Sequence, residues 1–407
     1  MTRSRYVSLI LILGGLTALT PFSIDMYLPG FTAIAKDLDT SASKVSLSLS
    51  SFFIGIALGQ LLYGPLLDRF GRKKPLYIGL SIYIFASIGC ALIHSVDALI
   101  GLRIIQALGS CAASVASITL VRDLFPVKDN AKVFALLILV LGASPMIAPT
   151  AGGYIISAYG WHAVFIVLTL ICVSLFICCI FWLPAGNPPD HERSLKPIPI
   201  TKSFLEVFVT PQFYTYCLTG GLVFMGLFAY VAGSPVIFMT VFGVSQKTYG
   251  WIFAILSIGF IGSSQLNNLF LKRFNSHQII RFIMVCYLAL AILFFLFLQM
   301  DWLSLPVTMI FLFGFLACVG ITNPNTGALS LAPFEKNAGT ASALLGAIQM
   351  GLGSGITIFI SLFEKPSLTP LAISLLISSV LAFLMLKLGS RQIKSTVQET
   401  AAIAVGH

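Results

Sequence analysis

The feature that most constrains this chain is a succession of long apolar stretches covering almost its whole length. A helix crosses the hydrocarbon core of a bilayer, about 30 Å thick, with about 20 residues. Composition agrees with such spans: 57% of the residues are hydrophobic and 9% are charged, against about 25% charged in a soluble domain. The pattern predicts an all-α integral membrane protein. Its twelve predicted helices cover residues 7–31, 46–67, 75–95, 98–121, 132–157, 162–183, 212–236, 248–270, 279–299, 303–327, 338–362 and 367–388.

One polar segment, residues 184–211, interrupts the apolar stretches half-way along the chain. It is rich in proline and in charged residues, a composition typical of a surface linker. We therefore predict four parts. They are a six-helix half over 1–183, a cytoplasmic linker over 184–211, a second six-helix half over 212–390 and a cytoplasmic tail over 391–407.

The distribution of basic residues predicts the orientation of the spans. In the twelve-helix arrangement, nineteen Lys and Arg fall on the side that holds both termini and the linker. Four fall on the opposite side, and Arg103 accounts for the last of the 24. Because cytoplasmic loops carry the excess of Lys and Arg, both termini are predicted to be cytoplasmic. The net charge of +10 is explained by these loops, so we expect no nucleic-acid partner.

Two charges of opposite sign remain inside the predicted spans, Asp25 and Arg103. Counting about 1.5 Å per residue, both lie about 9 Å below the outer boundary, so they can share one level. One interpretation is a static ion pair that joins two helices. The other is that Asp25 takes up and releases a proton, while Arg103 tunes it or holds the surrounding backbone.

The loop between the second and third helices carries Gly64, Asp68, Arg69, Gly71 and Arg72, followed by two lysines. Glycines allow a tight turn, and the charged residues can bind one another or neighbouring carbonyl groups. This spacing resembles the G-x-x-x-D-R-x-G-R-R/K signature of the major facilitator superfamily. The resemblance implies a fold of two six-helix halves, with Asp68 and Arg72 in a cytoplasmic charge relay that gates the conformational change.

Two further segments resemble motifs of the same superfamily. Arg103 and Gln106 match R-x-x-Q-G-x-G in the fourth helix, which implies a role in proton transfer, although Ala107 replaces the usual glycine. Pro149, Gly152 and Gly153 match the end of the antiporter motif G-x-x-x-G-P-x-x-G-G in the fifth helix. The fit is loose at Ser144 and Pro145.

Asp25-Met26-Tyr27-Leu28-Pro29 and the segment 338–349 resemble the bicyclomycin and chloramphenicol resistance exporters. That resemblance implies a proton-coupled transporter of the bacterial inner membrane that exports small drug-like compounds, with Asp25 as the proton carrier. An uptake symporter for a small nutrient or peptide is the alternative on the same fold. The expected partners are therefore a drug-like solute, protons and the lipid bilayer, with the chain acting as a monomer.

Candidate drug contacts combine Asp25 with residues of the second half. Phe224 and Phe228 lie one helical turn apart, and the amides of Asn323 and Gln349 can hydrogen-bond a neutral solute. Aromatic residues in membrane helices more often serve packing, so the two phenylalanines are the weaker candidates.

No enzyme, cofactor or metal site is expected from the sequence. The five histidines lie in predicted loops, at the ends of predicted helices or at the C-terminus, and no phosphate-binding G-x-x-x-x-G-K-S/T segment occurs. All eight cysteines lie within apolar stretches and are interpreted as small packing residues.

Overall fold

The computed structural model describes residues 3–190, 197–334, 337–363 and 365–393. Twelve helical segments within these ranges are long and apolar enough to cross a membrane. This confirms the predicted all-α membrane fold. The α-helices are α1 (Arg3–Asp25), α2 (Phe31–Asp37), α3 (Ala42–Phe70), α4 (Lys73–Leu92), α5 (Val96–Leu124), α6 (Val127–Tyr159), α7 (His162–Trp182), α8 (Pro197–Phe208), α9 (Pro211–Pro235), α10 (Gln246–Phe270), α11 (Ser276–Gln299), α12 (Leu305–Leu331), α13 (Ala338–Ser361) and α14 (Thr369–Gly389).

The first span is not the continuous helix predicted over 7–31. Helix α1 ends at Asp25, a 3₁₀ turn occupies Leu28–Gly30, and α2 begins at Phe31. Pro29 causes the interruption, because proline has no backbone N–H to donate and restricts the residue before it. The break places Asp25 at a helix end inside the membrane span.

The first compact unit comprises the described residues up to Pro199 together with Val244–Ala254. Helix α5 packs against α1, α3 and α4, while α6 packs on α1 and α7 on α4. The α3–α5 contact depends on a glycine: a Cβ on Gly55 would lie 2.6 Å from the Ile104 carbonyl oxygen. Helix α5, which carries Arg103 and Gln106, is thus enclosed by its neighbours.

The second compact unit comprises Ile200–Gly243 and the described residues from Ile255 onward. Helix α9 packs against α12, α13 and α14, and α11 packs on α12 and α14. A π-helical segment, Val236–Val241, extends α9 beyond Pro235. The predicted linker is not wholly irregular, since α8 lies within it.

The two units differ in extent from the predicted halves 1–183 and 212–390. The start of α10 belongs to the first unit because glycine allows it to approach α6: a Cβ on Gly250 would lie 2.8 Å from the Thr150 Cα. The division into halves, linker and tail stays a prediction. The tail from residue 394 onward lies outside the described residues.

Candidate functional site

Asp25 is the buried acidic residue of the described chain. Asp25 lies at the break of the first span and is 5% exposed, less than any other described Asp or Glu residue; the Asp123 side chain is also 5% exposed but is paired with Arg72. No ion pair joins Asp25 to Arg103 within the described ranges. The static pair considered from the sequence is therefore not formed, and the carboxyl group lies in the span without a bound cation.

Arg103 is completely buried and binds the backbone beside Asp25 instead of its carboxyl group. One guanidinium nitrogen donates to the Ser23 carbonyl oxygen at 2.8 Å, and another donates to Gln106 Oε1 at 2.6 Å. The rings of Tyr27 and Phe52 lie 4.3 and 4.1 Å from the guanidinium carbon. Cation–π contacts of this kind offset part of the free-energy cost of removing the guanidinium charge from water. Arg103 thus holds α1 two residues before Asp25.

Hydrogen bonds close a buried ring around this contact. Gln106 Nε2 donates to Ser87 Oγ at 2.7 Å, and Ser87 Oγ donates to the Tyr83 carbonyl oxygen at 2.7 Å. The Tyr83 hydroxyl and Ser23 Oγ are 2.6 Å apart, which returns the ring to α1. Helices α1, α4 and α5 are therefore joined by one polar network, in which Arg103 Nε is buried without a hydrogen-bond partner among the described residues.

Sequence reasoning found Arg103 and Gln106 but missed Ser23, Tyr83 and Ser87. Each of these residues contributes one hydroxyl group to an apolar helix, where Ser and Tyr are common and form no recognisable motif. The one available signal was the spacing of Tyr83 and Ser87, four residues apart and hence on one face of α4.

Of the antiporter-motif residues of α6, Gly152 contacts the break in the first span, while Gly153 and Pro149 contact the start of α10. A Cβ on Gly152 would overlap the Met26 carbonyl oxygen, and a Cβ on Gly153 would lie 2.6 Å from the Gln246 carbonyl oxygen. Pro149 lies beside Gly250, and the Thr150 hydroxyl donates to the Gly250 carbonyl oxygen at 3.1 Å. Both glycines are therefore required by close backbone contacts, one of them immediately after Asp25.

Replacing Gly152 by Ala is expected to displace α6 from the break and to lower transport at least about tenfold, because the added methyl group meets backbone atoms that cannot rotate away. The control is Gly101→Ala in α5, where a Cβ meets no atom within 4 Å. Alanine favours helix by about 1 kcal/mol over glycine, so the control should be at least as stable as the wild type. Initial transport rates at equal amounts of folded protein test this. Equal rates for the two variants would contradict it.

A second cluster of charges lies at the end of α3 and the start of α4. Arg72 donates to Asp68 Oδ1 at 2.7 Å and to Asp123 Oδ2 at 2.8 Å. Burial favours the neutral guanidine, but the bonds to Asp123 and Asp68 outweigh it and raise the pKa of Arg72 above its ordinary value. Arg72 therefore stays charged and joins two helices. Asp123, at the end of α5, was missed from the sequence.

Gly64, Arg69 and Gly71 are the remaining residues of this loop signature. Gly71 has φ +77°, a backbone conformation that favours glycine. A Cβ on Gly64 would meet no described atom within 4 Å, so packing does not require glycine there. The Arg69 guanidinium carbon lies 6.0 Å from the Phe70 ring. The structure therefore brings Asp68 and Arg72 together, and it places the Arg69 guanidinium group beside the Phe70 ring.

The start of the predicted linker covers the same cluster. Asn187 donates to Asp123 Oδ1 through its side-chain nitrogen at 2.8 Å and to Oδ2 through its backbone nitrogen at 3.1 Å. The Asp190 backbone nitrogen donates to the Asp68 carbonyl oxygen at 2.9 Å. Asp123 thus accepts bonds from Arg72 and from Asn187 at once.

Replacing Asp123 by Asn should weaken this cluster, because Arg72 keeps only Asp68 as a charged partner. We expect transport to slow about three- to tenfold, the effect of about 1 kcal/mol, with drug affinity unchanged. Asp129→Asn, a nearby acid in the first turn of α6, is the matched control. Transport rate and equilibrium drug binding, measured on the same preparations, separate the two effects. A lower affinity at an unchanged rate would contradict this role.

Three of the four second-half candidates lie along the contact between α9 and α13. The Phe224 and Phe228 rings are 5.7 Å apart, and a Cβ on Gly353 would overlap the Phe228 ring. A Cβ on Gly221 would lie 3.9 Å from Gln349 Cγ. Phe228 is buried, while Phe224 and Gln349 are half-buried. These residues form a partly accessible aromatic and amide surface within the second unit.

Asn323 lies on α12 rather than in that contact, and the neighbouring amide of Asn325 is the one that joins two helices. Asn323 is half-buried, and its carbonyl oxygen accepts a bond from the Thr326 hydroxyl at 3.2 Å. Asn325 is buried and donates to Asn267 Oδ1 at 2.7 Å and to the Ile321 carbonyl oxygen at 2.7 Å. Asn325 therefore joins α12 to α10.

Comparison with known proteins decides the family. The sequence model of the Major Facilitator Superfamily matches residues 13–358. The chain belongs to the major facilitator superfamily. A major facilitator relative, the bicyclomycin resistance protein homolog of Haemophilus influenzae, is 32% identical over 95% of this chain and 97% of its own length. The chloramphenicol resistance protein of Pseudomonas aeruginosa is 29% identical over 91% of this chain and 88% of its own.

A solved structure confirms the major facilitator fold. The nucleoside transporter NupG superposes with a TM-score of 0.71 at 15% identity, covering 96% of this chain and 100% of that one. Membership of the superfamily makes the chain a transporter rather than an enzyme, as predicted. The two resistance proteins confirm the resemblance to drug exporters that the helix motifs indicated.

The departure from the superfamily pattern at Ala107 has a structural explanation. Ala107 faces Gly55 of α3, where a further Cβ would lie 2.6 Å from the Ala107 methyl group. Glycine at position 55 therefore leaves room for the Ala107 methyl group. Ser144 also fits its surroundings, since it is buried and donates to the Val140 carbonyl oxygen at 2.8 Å.

Proposed function

We propose that this major facilitator protein exports small drug-like compounds in exchange for protons, with bicyclomycin- and chloramphenicol-type molecules as the first candidates. The observation that carries the proposal is Asp25, a buried carboxyl group at a helix break, without an ion-pair partner, in a chain similar to two named resistance proteins. A group of this kind can couple proton binding to a change in its access to water.

Asp25 is assigned as the proton carrier. Burying a carboxylate without a bound cation costs far more free energy than burying the neutral acid, so the protonation of Asp25 depends on whether water reaches it. When Asp25 binds a proton from outside, the drug leaves. When the proton leaves inward, drug can bind again, with Asp25 as a drug contact. Arg103 and Gln106 keep α1 in place during this exchange.

Within the second unit, Phe224, Phe228, Asn323 and Gln349 are assigned to drug contact. They offer aromatic surface and amide groups but no charge, which suits neutral solutes. The Asp68–Arg72–Asp123 cluster is assigned to conformational gating. We also propose that the chain acts as a monomer in the bacterial inner membrane. Both of its termini lie in the cytoplasm, and its two six-helix halves cover 1–183 and 212–390.

The proton gradient supplies enough free energy for export. One proton crossing about 100 mV releases about 2.3 kcal/mol, and each pH unit adds about 1.4 kcal/mol. A combined gradient therefore sustains a drug concentration ratio of about several hundred. No nucleotide is needed for this exchange.

Everted membrane vesicles test the direction and the coupling together. Vesicles with an acidic interior and the wild-type chain should accumulate labelled chloramphenicol or bicyclomycin and lose interior acidity faster than vesicles without the chain. Accumulation that persists after the gradient is collapsed would overturn proton coupling. Drug movement out of the vesicles together with protons would instead establish the uptake symporter.

A further inference from the structure

An apolar stripe along α8 and the turn that follows it has no partner in the described structure. Ile198, Leu205 and Val209 are 81%, 60% and 60% exposed. Relative to Ile198 they occupy positions i, i+7 and i+11, which lie on one face of a helix. Lys202, at i+4 on the same face, is also exposed. The stripe is thus an amphipathic surface, three apolar side chains and one lysine, at the end of the predicted linker.

The opposite face of α8 is attached to the second unit. Val207 is 1% exposed and packs in one cluster with Phe213 and Cys217 of α9 and Ala341 of α13. Because Val207 is nearly opposite the stripe on the helix, packing fixes the direction in which Ile198 and Leu205 point. The exposure of the stripe is therefore a property of a docked helix.

The distance from α8 to the membrane follows from the chain itself. Only Val209 and Thr210 separate the last residue of α8 from Pro211, the first residue of a membrane span. Three residue steps reach at most about 11 Å. The polar headgroup layer on each side of the hydrocarbon core is about 5 to 8 Å thick. The C-terminal end of α8 is therefore held in the headgroup layer or directly against it.

We propose that α8 is an interfacial helix whose stripe of Ile198, Leu205 and Val209 inserts into the headgroup and upper acyl region of the bilayer. The apolar side chains gain from leaving water, and the long aliphatic stem of Lys202 can lie on the same surface while its ammonium group stays among the lipid phosphates. The lipid surface fits better than a protein partner, because a membrane span begins within two residues and the stripe is narrow. This inference does not depend on which compound the transporter carries.

Depth-dependent quenching tests the proposal in the full-length chain. An environment-sensitive fluorescent amino acid is placed at Leu205 or, as the matched control, at Glu206, which is exposed one residue away on the polar side. Both proteins are reconstituted in phosphatidylcholine vesicles containing lipids brominated near the top of the acyl chain. Quenching at Leu205 should exceed that at Glu206 by about twofold or more, with a blue-shifted emission. Aqueous iodide should quench the label at Glu206 more strongly.

The proposal would be overturned if iodide quenched the Leu205 label as strongly as the Glu206 label and brominated lipid quenched the Leu205 label only weakly. The stripe would then be free to bind a protein partner.

Adding anionic lipid tests the role of Lys202. The lipid quenching at Leu205 should rise with phosphatidylglycerol in the wild-type background and rise less in Lys202→Gln. The unlabelled variant Leu205→Ser gives a test without a probe. It should keep the packing of Val207 and the binding of drug. Added protease should cleave its linker faster than the linker of Glu206→Gln.

Discussion

Replacing Asp25 by Asn should abolish drug-triggered proton release, while drug still binds at high concentration but more weakly than to the wild type, because Asn resembles the protonated acid from which the drug leaves. Asparagine keeps the size of the side chain and a hydrogen-bonding oxygen, but it cannot gain or lose a proton near neutral pH. The other enclosed carboxyl group of the described chain, Asp123, is bound to Arg72, so we expect it not to replace Asp25 as the proton carrier. Proton release is measured with a pH-sensitive dye in weakly buffered detergent solution when chloramphenicol or bicyclomycin is added. We expect a loss of at least about tenfold relative to the wild type.

The matched control is Asp97→Asn. Asp97 lies in the first turn of α5, and its side chain is 75% exposed in an ion pair with Lys44 of 3.2 Å. Removing this surface charge should change stability by less than about 1 kcal/mol and leave proton release intact. If Asp25→Asn binds drug and still releases protons as the wild type does, Asp25 is structural. Because binding is measured separately, a variant that merely fails to fold is recognised.

Much of the fold could be predicted from the sequence because the bilayer imposes few solutions. Every span must satisfy its own backbone hydrogen bonds, so long apolar stretches become helices. The prediction was wrong where local backbone chemistry intervenes. Pro29 was counted as part of a continuous first helix, although it breaks the span after Asp25. Helix α8 was hidden in the linker because its apolar residues are spaced as on a surface helix and form no long run.

The site was predictable at the level of residues but not of partners. The depth estimate placed Asp25 and Arg103 at one level, and Arg103 does reach the backbone of Ser23, two residues from Asp25. Which group a buried guanidinium binds depends on helix rotation and packing, here on the rings of Tyr27 and Phe52. Sequence periodicity does not contain that information. Asp123 was missed for a similar reason, because its partner Arg72 lies 51 residues earlier in the chain.

Replacing Arg103 by Met should both destabilise the first unit and stop transport. The change leaves the Ser23 carbonyl oxygen and Gln106 Oε1 without their donors and removes the cation from the Tyr27 and Phe52 rings. Hydrogen bonds to a charged group and cation–π contacts together suggest a loss of about 2 to 4 kcal/mol. Thermal unfolding in detergent measures that loss. Tyr83→Phe, which removes only the bond to the Ser23 hydroxyl, should lose about 0.6 kcal/mol, the average for membrane hydrogen bonds.

Arg103→Lys separates the charge of this residue from its geometry. Lysine keeps a positive charge at the same level but cannot donate to Ser23 and Gln106 in the planar fork that the guanidinium provides. If Arg103 acts by holding α1 beside Asp25, Arg103→Lys should restore little of the transport that is lost in Arg103→Met. If it acts only through its field on Asp25, Lys should restore most of it, and the pH dependence of proton release should return to that of the wild type. We expect the first result, because the structure gives Arg103 bonds to the backbone of α1 and none to the Asp25 carboxyl group. Full transport by Arg103→Met would contradict both roles.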